Sequence, residues 1–152
     1  MSFVEEIPLN PNDAQNNLGY LPTIKGEQVT LTIPDNVPKD AKSWLIYAFV
    51  TVIGPTDQFG RGYYSFSSID KANGRNYQRF MNVAFFNDST TSSTNFWIPA
   101  NNTGQIGIYL NGVGITPEKR QEEMEKRGLN KHMQDKSGER IVTGAFVIGY
   151  MK

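Results

Sequence analysis

Trp44-Leu45-Ile46-Tyr47-Ala48-Phe49-Val50-Thr51-Val52-Ile53 is the stretch whose reading decides the fold. Trp44, Ile46, Ala48, Val50 and Val52 alternate with Leu45, Tyr47, Phe49, Thr51 and Ile53, so a pleated strand here is apolar on both faces. The run is rich in aromatic and β-branched side chains, which pack well on a sheet and lose rotamer freedom in a helix. At about half the length of a membrane-spanning helix, it reads instead as a strand covered on both sides.

The same period of two recurs outward from this stretch. Val29, Leu31 and Ile33 alternate with Thr30 and Thr32, giving a strand with one buried face. Strands over about Tyr63 to Ile69 and Tyr77 to Phe86 flank Asn73-Gly74, a dipeptide that accepts positive φ and so favours a hairpin turn. In the second of these, Tyr77, Arg79, Met81, Val83 and Phe85 share the face expected to look inward. A short strand near Asn95 to Ile98 stops at Pro99, which cannot donate to a ladder. Ile106, Ile108 and Leu110 point to the core from Gln105 to Leu110. The last strand, Ile141 to Met151, sets Val142, Phe146, Ile148 and Tyr150 against Ile141, Ala145, Val147 and Met151, so it too reads as central. Trp44 and Trp97 are expected in the core. About seven or eight short strands with turn chemistry between them predict an all-β fold, an antiparallel β-sandwich or jelly roll.

Residues 1–25, with Pro8, Pro11 and Pro22 among Asn and Asp, read as an extended N-terminal arm. It packs along its own sheet or is ordered by a neighbouring subunit. Residues 26–152 form one β-sandwich domain, interrupted at 116–138 by a charged insertion before the last strand. There Thr116 caps, Pro117 suits the first helical position and Gly128 the residue past the end, which predicts a short helix from about Pro117 to Arg127. Glu122 with Lys126 and Glu123 with Arg127 are spaced as helical ion pairs. Met124 is nearly its only apolar side chain, so the helix is either a solvated, mobile excursion between two strands or a docking element held by a subunit or partner. Glu122, Glu123, Met124, Lys126 and Arg127 are therefore docking candidates.

Composition narrows the chemistry. The 152 residues include 15 basic, 15 acidic, one histidine and no cysteine. No disulfide, thiolate nucleophile or cysteine zinc site exists, and the balanced charge argues against a nucleic-acid binder, whose affinity comes from clustered Lys and Arg. Glu5 and Glu6 stand where a secretory signal needs a basic start, so no such signal and no membrane insertion are expected.

His132, the lone histidine, has no second His or Cys to complete a metal site or a catalytic grouping. Gly60-Arg61-Gly62 and Gly112-Val113-Gly114 read as turns, because neither opens a helix with the spacing of a phosphate-binding loop. No cofactor or metal is implied. Asn87-Asp88-Ser89 and Asn101-Asn102-Thr103 match glycosylation acceptors but also suit turns. Arg61, Tyr63 and Tyr64 beside one loop, with Arg75, Tyr77 and Arg79 after the hairpin turn, form the more suggestive set, since Tyr and Arg recur as interface anchors. The plain alternative makes Tyr63 and Tyr77 cross-strand neighbours that stabilise a hairpin.

Phe96-Trp97-Ile98-Pro99 and Ala145-Phe146-Val147-Ile148-Gly149-Tyr150 resemble the final strands of trimeric jelly-roll heads, such as complement-like and phage-fibre tip domains. The resemblance covers a small part of the chain and has no diagnostic motif. The leading expectation is a non-enzymatic structural protein that packs against copies of itself, such as a virion, fibre or surface-layer component, with a trimer among the closed symmetries open to it. The alternative is a carbohydrate-binding or adhesion module that uses loop aromatics to hold glycans.

Overall fold

Alternating side chains point to opposite faces of a strand, and every stretch with that pattern is a strand in the computed structural model. The structure describes residues 5–53, 60–70, 73–85, 90–113 and 140–152. The expected helix over Pro117 to Arg127, its five docking candidates and His132 lie outside these residues. In chain order the strands are β1 Glu6–Pro8, β2 Asn17–Gly19, β3 Gln28–Thr32, β4 Ser43–Ile53, β5 Gly60–Asp70, β6 Arg75–Phe85, β7 Thr90–Pro99, β8 Gln105–Val113 and β9 Arg140–Met151. A 3-10 turn, Ala14–Asn16, precedes β2.

These strands make two antiparallel sheets. The first runs β1-β9-β4-β7, with β2 also pairing to β9, and the second runs β3-β8-β5-β6. β4 and β9 are central, as their two-sided apolar pattern requires. Between the sheets lies a core that includes Trp44, Ile46, Val50, Val52, Tyr64, Phe66, Ile98, Ile106, Ile108, Leu110 and Val147, all almost fully buried. Burial of each large side chain is worth about 1.5–3 kcal/mol against the entropy of ordering the chain.

In the first sheet, side-chain placement differs from the sequence reading in three ways. First, β4 is not covered on both sides: its Leu45, Tyr47, Phe49 and Thr51 face is only half-buried, because no layer packs on the outside of the first sheet among the described residues. Second, Trp97 pairs with Leu45 and is half-buried on that same outer face, whereas Trp44 is core. Third, the β4–β9 ladder shifts register between Leu45 and Ile46, where Gly149 and Val147 are their partners and Ile148 is the extra residue. A bulge of one residue inverts which face the following side chains address. Tyr150 consequently packs against the core, opposite to Phe146, although simple alternation puts the two on one side.

The arm is part of the molecule's own sheet. β1 pairs with Gly149–Met151 and β2 with Ala145 and Phe146. Buried Asn16 ties it to the body: its Nδ2 donates to the Asn10 carbonyl at 2.8 Å and its Oδ1 accepts from Asn36 Nδ2 at 2.8 Å. The Leu21 N–H donates to buried Thr143 Oγ1 on β9 at 3.0 Å. An exposed arm of polar residues would fray; these buried polar contacts hold it.

The β5–β6 hairpin closes at Asp70 opposite Arg75. Gly74, with φ at 71°, donates its N–H to the Asp70 carbonyl, and Asn73 Oδ1 accepts from the Arg75 N–H. Asn73-Gly74 thus performs the turn chemistry its sequence announces. Gly60-Arg61-Gly62 is not a turn but the start of β5, and Gly112 lies within β8. Gly62 is required there because any Cβ would run into the Asn111 carbonyl of the neighbouring strand.

Candidate functional site

Where two sheets meet at an edge, backbone groups without strand partners must find other ones. The first sheet ends at β7 and the second at β6. Arg79, on the inner face of β6, reaches across: its Nε donates to the Trp97 carbonyl and its Nη1 to its own strand's Gln78 carbonyl, both at 2.9 Å. Ser68 Oγ donates to the Pro99 carbonyl at 2.7 Å, and Asn101 Nδ2 donates to Ser68 Oγ at 2.8 Å. Asn101 Oδ1 in turn accepts from the Thr103 N–H, the Thr103 hydroxyl and the Gly104 N–H. Asn101 is therefore a turn-building residue with its side-chain amide occupied, which explains the Asn101-Asn102-Thr103 sequence without a glycan. Asn87-Asp88-Ser89 lies outside the described residues.

The suggestive aromatic and basic set is divided by this geometry. Tyr64 is fully buried, and its hydroxyl donates to the Pro22 carbonyl at 2.7 Å. Burial, then the negative charge of Glu27, pushes its pKa well above the ordinary tyrosine value. Tyr64 is a core residue and is out of reach of a surface ligand. Tyr63 faces outward opposite Asn82, while Tyr77 is opposite Ser68 and packs against the core. The two are on opposite faces and are not cross-strand neighbours. Arg75 is exposed, its guanidinium held more firmly protonated first by a side-chain hydrogen bond with Tyr77. Arg79 locks the sheet edges, and Arg61 stands exposed at one end of β5. Arg75, Tyr77 and Arg79 stay together at the β6 edge, apart from Arg61 and Tyr63.

Two sheet faces look out to solvent, and they differ in chemistry. On the first sheet, the rings of Tyr47, Phe49 and Phe146 form a cluster with centroids 6.1 to 6.4 Å apart. It forms because Gly144, opposite Phe49, has no side chain: a Cβ there would come within 2.7 Å of the Phe49 ring and 3.2 Å of Phe146. Leu45 and Trp97 continue this apolar face toward β7, and Val142 exposes 41% of its surface on β9.

The outer face of the second sheet is polar and aromatic, with Arg61 its charged residue at one end of β5 among the described residues. One row across it reads Gln28, Tyr109, Ser65 and Phe80, from β3 to β6. The row on one side is Asn111, Tyr63 and Asn82; the row on the other is Thr30, Gly107, Ser67 and Gln78. Phe80 is 56% exposed, and its ring meets that of Tyr63 edge-on at 5.9 Å. The sequence offers one signal for it, the alternation that puts Phe80 with Gln78 and Asn82, whereas Tyr109 and Ser65 join it only through pairing.

A cleft of about 210 Å³ opens at one end of the sandwich, between residues 32–39 and 101–104, with Trp44 among its walls. It is smaller than the roughly 300–1,000 Å³ usual for small-molecule sites. Asp35 and Lys39 at its rim supply the charge. Among the described residues no group of His, Asp or Glu side chains is arranged to hold a metal ion, and no helix is long and apolar enough to cross a membrane. No protein-family model matches this chain, and no curated protein matches it significantly.

Proposed function

We propose that this protein is a non-enzymatic structural component, a jelly roll that packs against copies of itself in a particle, fibre or surface layer. The strand order supports the jelly-roll reading. The chain passes back and forth between the sheets, with β1, β2, β4, β7 and β9 in one and β3, β5, β6 and β8 in the other. In each, strands distant in sequence lie side by side, as two interlocked Greek keys require. The non-enzymatic part rests on composition, with no cysteine and one histidine in the chain.

The observation that carries self-association is the Tyr47, Phe49 and Phe146 cluster on the solvent side of the first sheet. Contiguous exposed apolar surface is costly in water and marks contact sites on soluble proteins. A second copy that presents the same face buries both clusters at once, the self-complementary arrangement of a two-fold contact. A closed trimer needs instead that this face meet a different surface of its neighbour.

Sedimentation velocity over a hundred-fold concentration range tests the reading. The expected result is a mass of two or more chains that returns to one chain in the doubly substituted Phe49→Ser, Phe146→Ser protein. A mass of one chain throughout sinks the proposal, as does an oligomer indifferent to the double substitution. Electron microscopy of material from the native source then tells whether the assembly is a particle.

A further inference from the structure

We infer that the outer face of the second sheet binds a neutral sugar ring, seated over Ser65 between Tyr63, Phe80 and Tyr109. This goes beyond self-association, which uses the other sheet, and it uses a different surface from the loops on which a glycan site was expected.

The ladder register sets the geometry. Tyr109, Ser65 and Phe80 lie in one row on three adjacent strands, and Tyr63 is the next outward residue of Ser65's own strand. Neighbouring strands are about 4.8 Å apart, so Tyr109 and Phe80 stand roughly 10 Å apart with the smallest side chain of the row between them. That spacing sets the small Ser65 side chain and its hydroxyl between aromatic residues on three sides, a span that matches one pyranose ring.

The chemistry selects the ligand. Phe80 is a large apolar ring left 56% exposed, and its nearest neighbours on this face of its strand, Gln78 and Asn82, are polar amides. Its ring partner among the described residues is Tyr63, edge-on at 5.9 Å. A pyranose presents a patch of C–H groups that stacks on such a ring, and a rim of hydroxyls. Side-chain amides supply a donor and an acceptor together and so match paired hydroxyls. Asn82, Asn111 and Gln28 are placed at that rim by the register. Among the described residues, the row of Ser65 and the rows on either side of it carry no charged side chain, and Arg61 stands two rows along β5 from Ser65 on the same face. A carboxylate, sulfate or phosphate seated over Ser65 has no adjacent counter-ion, which favours a neutral glycan over an acidic one.

The test applies the full-length chain to an array of neutral gluco-, manno-, galacto-, xylo- and N-acetylglucosamine oligosaccharides, with sialylated and sulfated glycans as the charged arm. Calorimetric titration follows with the best neutral oligosaccharide. The expected result is saturable binding confined to the neutral arm, weakened about tenfold or more by Phe80→Ala and by Tyr109→Ala. Ser65→Tyr, which puts a large ring where the small side chain stands, abolishes it. Phe80→Trp retains binding, which separates ring stacking from a general loss of structure. Circular dichroism melts and the sedimentation mass stay those of the parent protein in Phe80→Ala, so the outcome is independent of self-association. The inference is overturned if no neutral oligosaccharide binds, if only the charged arm binds, or if binding survives Phe80→Ala, Tyr109→Ala and Ser65→Tyr.

Discussion

Tyr63 and Tyr64 are adjacent, chemically identical and opposite in fate. Tyr64 is buried with its hydroxyl on the Pro22 carbonyl, so its proton is held in the folded state and released more easily from the unfolded one. The linkage sign follows. Stability from this group is fully present below the ordinary tyrosine pKa of 10.0 and is lost as pH rises above it, because the unfolded chain gains by ionising and the folded chain does not. Denaturant unfolding measured from pH 8 to 11.5 is expected to show a steep alkaline loss of stability, and Tyr64→Phe to flatten that slope. At neutral pH the same substitution costs about 1–2 kcal/mol, since a buried carbonyl loses its donor. Asn101 makes the second residue-scale case. One amide satisfies Ser68, which in turn holds the Pro99 carbonyl, and Asn101→Ala is expected to lower the unfolding free energy by about 2–3 kcal/mol in urea titrations. A loss within 0.5 kcal/mol, the range of an ordinary surface substitution, speaks against the network.

At the scale of the element, the β6 and β7 edges depend on side chains where strands are lacking. Arg79 occupies the Trp97 carbonyl that no neighbouring strand reaches. Arg79→Met keeps the apolar stem and removes the donors. It is expected to cost about 1–2 kcal/mol and to speed amide hydrogen exchange near Trp97 while leaving central β9 protected. Gly62 shows the converse constraint. Gly62→Ala forces β5 away from β8 at Asn111, with an expected fall in thermal midpoint that a substitution at open Gly26 does not match in steric cost. Gly26 instead has a φ of 92°, so its penalty is conformational, and the two sites separate clash from backbone strain.

For the whole molecule, the two outward faces are the functional question: an apolar aromatic one on the first sheet and an amide and aromatic one on the second. Combining Phe49→Ser with Phe146→Ser is expected to change mass and leave glycan binding, while Phe80→Ala does the reverse. Mass and binding measured on the parent protein and these two variants check whether the faces act separately. Read alone, the sequence settles the β class, the hairpin at Asn73-Gly74, most of the core and the strands from β3 onward save the first half of β7, because alternation and turn chemistry are local properties of neighbouring residues; β1 and β2 in the arm, short and without alternation, it does not announce. Tertiary structure alone decided that Tyr150 turns inward after a bulge, that Trp97 stands on the outer face, that Tyr77 lies across the sheet from Tyr63, and that Tyr109 and Phe80 flank Ser65. Each of those depends on which remote strand lies alongside and in what register. Pairing between residues far apart in the chain leaves no trace in the pattern of either one alone.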